Sequence, residues 1–216
     1  TASYVPPPPD ELMACLGAWE TFLHDRTLPP VVQIGLAHYQ FEAIHPFLDG
    51  NGRVGRLLVI LFLIERGILP APLLYLSAYF EATRPQYYQG LQRVTRRGEW
   101  EAWITYFLTA TIRMSEDVLA RAAKMNAKLV AWRHQVAGAP RAAHQVIEVL
   151  AENPYISAKS ASKHARIAFT TAQRGIETLE KAGIVERVAG EKRGKVYCAK
   201  PLLRILEAKP RLTGGA

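Results

Sequence analysis

HPFLDGNGRVGR, residues His45–Arg56, is the most informative stretch of this sequence. Gly50 and Gly52 leave the backbone uncovered where an apolar helix is predicted to begin, at about Asn51. Free amides at a helix start, together with the helix dipole, form a site for anions. The side chain of Asn51 adds a further donor between the two glycines. The stretch therefore predicts a loop-and-helix site that binds an anion.

Charged and titratable side chains accompany this loop. Arg53 and Arg56 are three residues apart, which places both on one helix face, and two guanidinium groups beside an anion loop suit a polyphosphate. Asp49 offers a hard oxygen that suits Mg²⁺ held mainly by phosphates and water. His45 could remove a proton from a hydroxyl. Each residue alone is more often structural, but their combination within twelve residues favours a nucleotide triphosphate site with a general base.

At these residues the chain resembles the Fic family, whose signature is HxFx[DE]GNGRxxR. Every fixed position of the signature matches: His45, Phe47, Asp49, Gly50, Asn51, Gly52, Arg53 and Arg56. The resemblance runs from the YVPPPP segment through Tyr87-Tyr88 to about Phe107. It implies an all-helical core that moves AMP from ATP to Ser, Thr or Tyr hydroxyls of target proteins and releases pyrophosphate.

The resemblance also implies a role for each position. His45 would be the general base, and Asp49 would bind Mg²⁺ bridging the phosphates. The glycines of the loop and Asn51 would surround the phosphates, the two arginines would bind the outer phosphates, and the tyrosine pair would lie near the adenine. The nucleotide-binding set is predicted to be Gly50, Asn51, Gly52, Arg53, Val54, Gly55, Arg56, Tyr87 and Tyr88. For the tyrosines, packing in an aromatic core is the alternative.

Two further features of the family concern the target and control. Residues 3–7 match the flap that aligns a target peptide by strand addition, with Tyr4 and Val5 as predicted contacts; a plain linker is the alternative. An inhibitory [ST]xxxE[GN] motif is missing. Ser77–Glu81 and Thr95–Glu99 have the Ser/Thr-to-Glu spacing, but Ala82 and Trp100 follow them instead of Gly or Asn. The family's commonest layout puts this motif before the core, and the opening TASYVPPPPD looks like the middle of a protein. We therefore expect that an N-terminal part is missing and that this fragment is deregulated.

The charge of the chain predicts a second functional module. Of the net charge of +8, residues 1–137 contribute 13 Lys and Arg against 12 Asp and Glu, and residues 138–216 contribute 14 against 7. Gly138-Ala139-Pro140 separates the two parts, so we predict a Fic core over 1–137 and a second domain over 138–216. The basic excess suggests a surface that faces nucleic acid, with a solvated basic surface as the alternative.

The order of elements after residue 138 is that of a winged helix-turn-helix domain, an α+β fold. Helices are predicted over 141–151, 158–165 and 168–182, followed by strands over 184–188 and 195–199. Candidate DNA contacts lie on the third helix and in the wing: Thr170, Thr171, Gln173, Arg174, Lys192 and Arg193. Winged helices also serve as docking or dimerisation modules. One alternative function is therefore a DNA-binding regulator that uses the Fic core for nucleotide sensing or dimerisation. A second alternative is removal of AMP from modified proteins, which Asp49 does not exclude.

The remaining properties are those of an ordinary globular protein, expected to be mainly α-helical. The hydrophobic fraction is 49% and the charged fraction 21%. Cys15 and Cys198 form no ligand pattern, which fits a reducing cytoplasm. No stretch reaches the ~18 apolar residues of a membrane-spanning helix, and no secretory signal opens the chain. We expect a cytoplasmic protein without membrane partners and consider a homodimer, because Fic proteins often dimerise.

Three details concern the core. Asp10 is predicted to cap the first helix and Phe47 to anchor the loop in the core. Residues 99–135 are predicted to form one long helix or two. The buried side of this region is predicted to carry Trp100, Trp103, Phe107, Ile112 and Leu119.

Overall fold

The computed structural model of the chain describes residues 5–190 and 194–210. Within these residues the fold is mainly helical, with ten α-helices and one three-stranded sheet, which confirms the predicted mainly α class. The chain divides into two compact units: the first takes the residues up to Val118 together with Pro210, and the second spans Leu119–Lys209. This division falls inside the longest helix, whereas the predicted boundary follows the end of that helix. The assignment of the units as a Fic core and a winged-helix domain stays a prediction.

The first unit contains five helices and the beginning of a sixth. They are α1 (Leu12–His24), α2 (Pro30–Ile44), α3 (Asn51–Glu65), α4 (Leu76–Ala82), α5 (Arg84–Arg97) and the first part of α6 (Trp100–Gln135). Prolines stand in the first turns of α2 and α5, where a missing amide costs nothing. Gly98 ends α5 with a φ of +66°, a conformation that favours glycine.

The core of this unit is aromatic and is built around α2. The ring systems of Trp103 and Phe107 on α6 are fully buried against α2. The Trp103 indole donates a hydrogen bond to the Gly35 carbonyl at 2.9 Å. A Cβ at Gly35 would be 2.9 Å from a ring carbon of Phe107, so glycine is required for this close approach. The tight contact fixes α2, which carries His45 at its C-terminal end.

The second unit joins the C-terminal part of α6 to four helices and three strands. They are α7 (Arg141–Glu152), β1 (Tyr155–Ser157), α8 (Ala158–Ala165), α9 (Phe169–Lys181), β2 (Glu186–Ala189), β3 (Val196–Cys198) and α10 (Lys200–Glu207). The sheet is antiparallel with the order β1-β3-β2. Tyr197 in the central strand pairs with Ile156 on one side and Arg187 on the other.

Local sequence signals explain how these elements begin and pack. Ser157 caps α8 through a reciprocal pair of hydrogen bonds with Ser160, as its position before the helix predicts. Gly175 on α9 brings that helix against α7, because a Cβ there would be 2.8 Å from the Ala142 carbonyl oxygen. Strand β1 and helix α10 were not predicted. The strand has only three residues and depends on pairing with β3.

Residues 100–135 form one helix, the first of the two predicted alternatives. Other predicted details are wrong. Trp100, Ile112 and Leu119 were predicted on the buried side but are 40%, 56% and 70% exposed. The buried stripe instead follows Trp103 and Phe107, and Ile112 and Leu119 lie on other sides of the helix. Helix α1 begins after Glu11 without a side-chain cap, so Asp10 does not cap it. Phe47 is 49% exposed and does not anchor the loop in the core.

Across the described part of the chain, no helix has both the length and the apolar character that crossing a membrane requires.

Candidate functional site

The predicted motif lines an open cavity of about 480 Å³ in the first unit. One wall is the loop before α3 together with the first turns of that helix. The opposite wall comes from α4, α5 and the segment before α4. The lining residues are His45, Leu48, Asp49, Gly50, Asn51, Gly52, Arg53, Arg56, Tyr75, Ser77, Phe80, Glu81, Arg84, Tyr87 and Tyr88. The structure therefore brings most of the predicted site residues together.

The start of α3 lies in the first of these two walls. Gly50 precedes the helix with a φ of +86°, which a residue with a Cβ adopts only under strain. Its amide donates to Asp49 Oδ1 at 2.6 Å. Backbone amides in the first turn of a helix have no acceptor within the helix. Because residues 50–53 all line the cavity, the first turn of α3 offers it amide donors and the positive end of a helix dipole.

Asn51 holds this loop from inside. Its side chain is only 2% exposed. The amide nitrogen donates to the Phe47 carbonyl at 2.6 Å, and the amide oxygen accepts from the Phe47 backbone at 2.9 Å. The side chain was predicted to donate to a bound anion, but here it fixes the loop. What Asn51 can offer an anion is its backbone amide.

The two motif arginines have different surroundings. Arg53 is exposed and pairs with Asp49 at 3.1 Å, from Nη2 to Oδ2. Arg56 is half-buried, and its Nε donates to the Ser77 hydroxyl at 3.1 Å. Its Nη1 lies 2.9 Å from where a Cβ would stand on Gly52. Arg56 is thus held by α4 beside the helix start, whereas Arg53 is positioned only by an exposed ion pair.

His45 ends α2 in the left-handed conformation, with φ 50° and ψ 55°. Because this conformation is uncommon for a residue with a side chain, it marks a locally constrained position. Its Nδ1 lies 3.3 Å from the Glu42 carbonyl oxygen. Since a carbonyl can only accept, this contact favours the tautomer with the proton on Nδ1. Nε2 is then an acceptor at the edge of the cavity, as a general base requires.

A layer of buried polar groups lies beneath the motif. His38 is 2% exposed and its Nε2 lies 3.0 Å from the Tyr87 hydroxyl. Burial, helped by the nearby charge of Arg56, lowers the pKa of His38 to about 3. Burial also raises the pKa of the Glu42 carboxyl, although Arg56 and His45 act in the opposite direction. The sequence analysis did not identify Glu42, although it lies one helical turn before His45 and therefore on the same face.

The second wall adds residues that the sequence analysis did not assign to the site. Ser77 and Glu81 were considered only as a possible inhibitory motif, yet both line the cavity. The Arg84 guanidinium stands over the ring of Tyr88, 5.7 Å from its centroid. Tyr88 is half exposed, whereas Tyr87 is 5% exposed and packs in the core. Residue type and spacing gave no signal that would bring α4 opposite the motif.

Three predicted residues that the structure describes do not line the cavity. Val54 does not line the cavity, and Gly55 packs against α2, where a Cβ would be 3.1 Å from a ring carbon of Phe41. Val5 is 77% exposed and also does not line the cavity. Tyr4 lies outside the described residues. The target flap stays a prediction.

Metal ligation would rest on a single carboxylate. No group of three or more His, Cys, Asp or Glu side chains suited to a metal occurs among the residues described. Asp49 is 91% exposed at the rim of the cavity, and its oxygens are engaged by Gly50 and Arg53. This donor set fits Mg²⁺ that is held by one carboxylate together with phosphates and water, and it does not fit an ion held by protein alone.

The candidate DNA contacts in the second unit lie mainly on α9. Thr170, Gln173 and Arg174 are exposed and Thr171 is half-buried. The Gln173 amide donates to Glu177 at 3.0 Å, which restrains it on the helix surface. Lys192 and Arg193 fall outside the described residues. Three of the four predicted contacts on α9 are thus exposed, and their role as DNA contacts stays a prediction.

Comparison with known sequences agrees with the motif. Residues 1–63 match the model of the Fic/DOC family. A protein named protein adenylyltransferase Fic from Drosophila yakuba is 44% identical over 70 residues, which are 31% of this chain and 14% of that protein. The protein of the same name from Drosophila grimshawi is 32% identical over 111 residues, which are 50% of this chain and 22% of that protein. The chain therefore spans only a small part of the length of these curated relatives.

Comparison with solved structures concerns the fold. A Fic family protein from Desulfovibrio desulfuricans G20 superposes with a TM-score of 0.53 at 18% identity. The match covers 92% of this chain and 58% of that one. Residues 1–63 are thus similar to the Fic/DOC family, and the chain shares its fold with a solved Fic family protein.

Proposed function

We propose that this protein transfers AMP from ATP to a Ser, Thr or Tyr hydroxyl of a target protein and releases pyrophosphate. The observation that carries the proposal is the meeting of His45 with the α3 helix start and its two arginines in one cavity. A base beside a polyphosphate site suits attack of a hydroxyl on phosphorus. The names of the relatives from Drosophila support the same reaction class.

The proposed step conserves atoms and charge. The target oxygen attacks the α-phosphorus, and the bond from this phosphorus to the bridging oxygen of the β-phosphate breaks. Nε2 of His45 takes the hydroxyl proton, and the electron pair leaves with pyrophosphate. The α3 amides, Arg53 and Arg56 face the charge that moves toward the leaving group. Donors fixed in advance in this way are commonly the largest catalytic contribution.

Two further residues are assigned by the proposal. Asp49 would hold Mg²⁺, which when bound would neutralise phosphate charge. Tyr88 would lie near the adenine, since this half-exposed residue lines both the main cavity and a second cavity of about 230 Å³. His45 lines both cavities. The base would therefore border the main cavity, which is proposed to hold the reacting phosphate, as well as the second cavity.

Labelled ATP tests the proposal. With lysate proteins as targets, ATP labelled at the α-phosphate should label protein bands, and ATP labelled at the γ-phosphate should not. His45→Ala should remove the labelling and still bind ATP. Labelling from the γ-phosphate would indicate phosphorylation instead, and wild-type labelling by His45→Ala would refute the role of the base. Release of AMP from a modified protein should be assayed in parallel, because Asp49 and His45 also suit the reverse reaction.

DNA binding by the second unit is a second candidate function. The observation that favours it is the order α7-β1-α8-α9-β2-β3 with an exposed polar face on α9, as expected of a winged helix whose third helix enters the major groove. The excess of basic residues after position 138 points the same way. The function would be a regulator in which the first unit senses a nucleotide.

A gel-shift series over salt concentration tests this candidate. Phosphate-driven binding must weaken steeply as salt rises. Arg174→Ala should weaken the shift, whereas Arg204→Ala removes the same charge from an exposed site on α10 and should have a smaller effect. Absence of a shift at low salt, or equal effects of the two variants, would refute recognition by α9.

A further inference from the structure

Glu42 places a carboxyl group directly behind the start of α3. Its Oε1 is buried and has no hydrogen-bond partner among the described residues. A Cβ at Gly55 would be 2.9 Å from this oxygen, and one at Gly52 would be 3.7 Å away. The two glycines therefore leave the space into which the carboxyl group reaches. The Glu42 carboxyl group thus lies on one side of this helical turn, and the cavity that is proposed to bind phosphates lies on the other.

The groups that face Glu42 come from three helices. They are His38 and His45 on α2, Arg56 on α3 and Tyr87 on α5. Arg56, His45 and the Tyr87 hydroxyl favour the ionised carboxylate, while burial raises its pKa. His38 is neutral near pH 7 because its pKa is lowered to about 3. Arg56 is therefore the permanent positive charge that balances Glu42.

Phosphates in the cavity would disturb this balance. They would approach the same helical turn and engage Arg56. In the empty site Arg56 favours the ionised form of Glu42, and with phosphates bound it would do so less. Glu42 would then share the site with several negative oxygens in a partly buried environment. Both changes disfavour the charged form of a carboxyl group. Arg56 cannot relieve the conflict by releasing a proton, because arginine stays protonated in proteins.

We propose that Glu42 is a positioning residue that is ionised when the cavity is empty and takes up a proton from solvent when a polyphosphate binds. No bond to the nucleotide forms or breaks in this step. In the empty site the carboxylate balances Arg56 behind the helix start, and in the filled site the neutral acid lets Arg56 serve the phosphates alone. Nucleotide affinity should therefore increase as pH falls toward the raised pKa of Glu42. The inference rests on the proposed function in that it needs a polyphosphate in this cavity.

Calorimetry on the full chain tests proton uptake directly. The probe is an ATP analogue with a methylene group between the α- and β-phosphates, which cannot be cleaved at that bond. Binding is measured near pH 6.5 in buffers that differ in heat of ionisation, which gives the protons taken up per nucleotide. The variant is Glu42→Gln, and the matched control is Glu81→Gln, which removes an exposed carboxylate from the same cavity. Repeating the series with His45→Ala separates any uptake by the imidazole.

Wild type and Glu81→Gln should show the same uptake, and Glu42→Gln should show less, by up to one proton per nucleotide. The affinity of Glu42→Gln should also depend less on pH. Equal uptake by wild type and Glu42→Gln would overturn the inference alone, whereas failure of wild type to bind the analogue would overturn the proposed function as well. If circular dichroism shows that Glu42→Gln is unfolded, the infrared difference spectrum of wild type decides. A protonated carboxyl band should appear on binding, and its absence would overturn the inference.

Discussion

Gly55→Ala should destabilise the first unit because α2 and α3 meet too closely at this position for a methyl group. The added Cβ would be 2.9 Å from Glu42 Oε1, 3.1 Å from a ring carbon of Phe41 and 3.3 Å from a ring carbon of His38. Overpacking of this kind costs about 1–3 kcal/mol. Replacing glycine by alanine inside a helix returns about 0.8–1.0 kcal/mol. The net expected loss is therefore up to about 2 kcal/mol in the free energy of unfolding.

Gly17→Ala is the matched control for this prediction. Gly17 is an exposed helical glycine on α1, and a Cβ there would have no neighbour within 4 Å. Gly17→Ala gains the same helix propensity without the clash. The difference in free energy of unfolding between the two variants therefore isolates the overpacking cost of about 1–3 kcal/mol. Urea unfolding followed by tryptophan fluorescence measures both variants. If Gly55→Ala is as stable as Gly17→Ala, the contact between α2 and α3 leaves room for a methyl group.

Three further predictions concern buried polar groups of the first unit. Arg66→Ala should lower the free energy of unfolding in urea by about 2–4 kcal/mol, because the Arg66 guanidinium donates to the carbonyls of Leu23 and Asp25 at 2.5 and 3.1 Å. The control Arg26→Ala breaks an exposed ion pair and should lower it by at most about 1 kcal/mol. Equal losses for the two variants would contradict this prediction. His38 stays neutral in the folded state because burial lowers its pKa to about 3. Its contribution to the free energy of unfolding is therefore complete above about pH 6.5 and is lost toward pH 3 by up to about 1.4 kcal/mol per pH unit. Unfolding measured at pH 7 and pH 5 should show this slope, and His38→Gln should reduce it. Asn51→Ala should weaken ATP binding about tenfold or more, because the loop loses both hydrogen bonds to Phe47. A tenfold loss corresponds to about 1.4 kcal/mol of binding free energy. Unchanged affinity in calorimetry would show that the loop does not depend on these hydrogen bonds.

The helices of the chain could be predicted because their signals are local. Prolines at the first turns of α2 and α5, and Gly98 after α5, set boundaries that the structure confirms within a residue or two. Which side of a helix is buried is not local. Ile112 is apolar, but the neighbouring helices of the first unit pack on the stripe that contains Trp103, so its side chain remains exposed. Strand β1 and helix α10 escaped prediction because short elements depend on pairing and packing more than on their own residues.

The candidate site was predictable to the extent that it lies in one continuous segment. Asp49, Gly50, Arg53 and Arg56 meet in the cavity because a loop followed by a helix start places them there. The opposite wall comes from α4 and α5, and no sequence spacing relates Ser77 to a motif that ends 21 residues earlier. The side chain of Asn51 was assigned to the anion because its type suits either use. Only the geometry shows that both of its polar atoms are already bonded to Phe47.

The close approach of α2 and α3 connects the fold of the first unit to its chemistry. Gly55 lets the two helices touch, and the same contact buries the Glu42 carboxyl and places Arg56 beside the helix start. A side chain at position 55 would therefore change stability, the environment of a buried carboxyl group and the position of Arg56, the proposed phosphate ligand, at once. Gly50 differs, since it is required by its positive φ and not by a neighbour on α2. Glycines within one motif thus serve separate physical purposes, and the purpose at position 55 is to bring a titratable group within reach of the site.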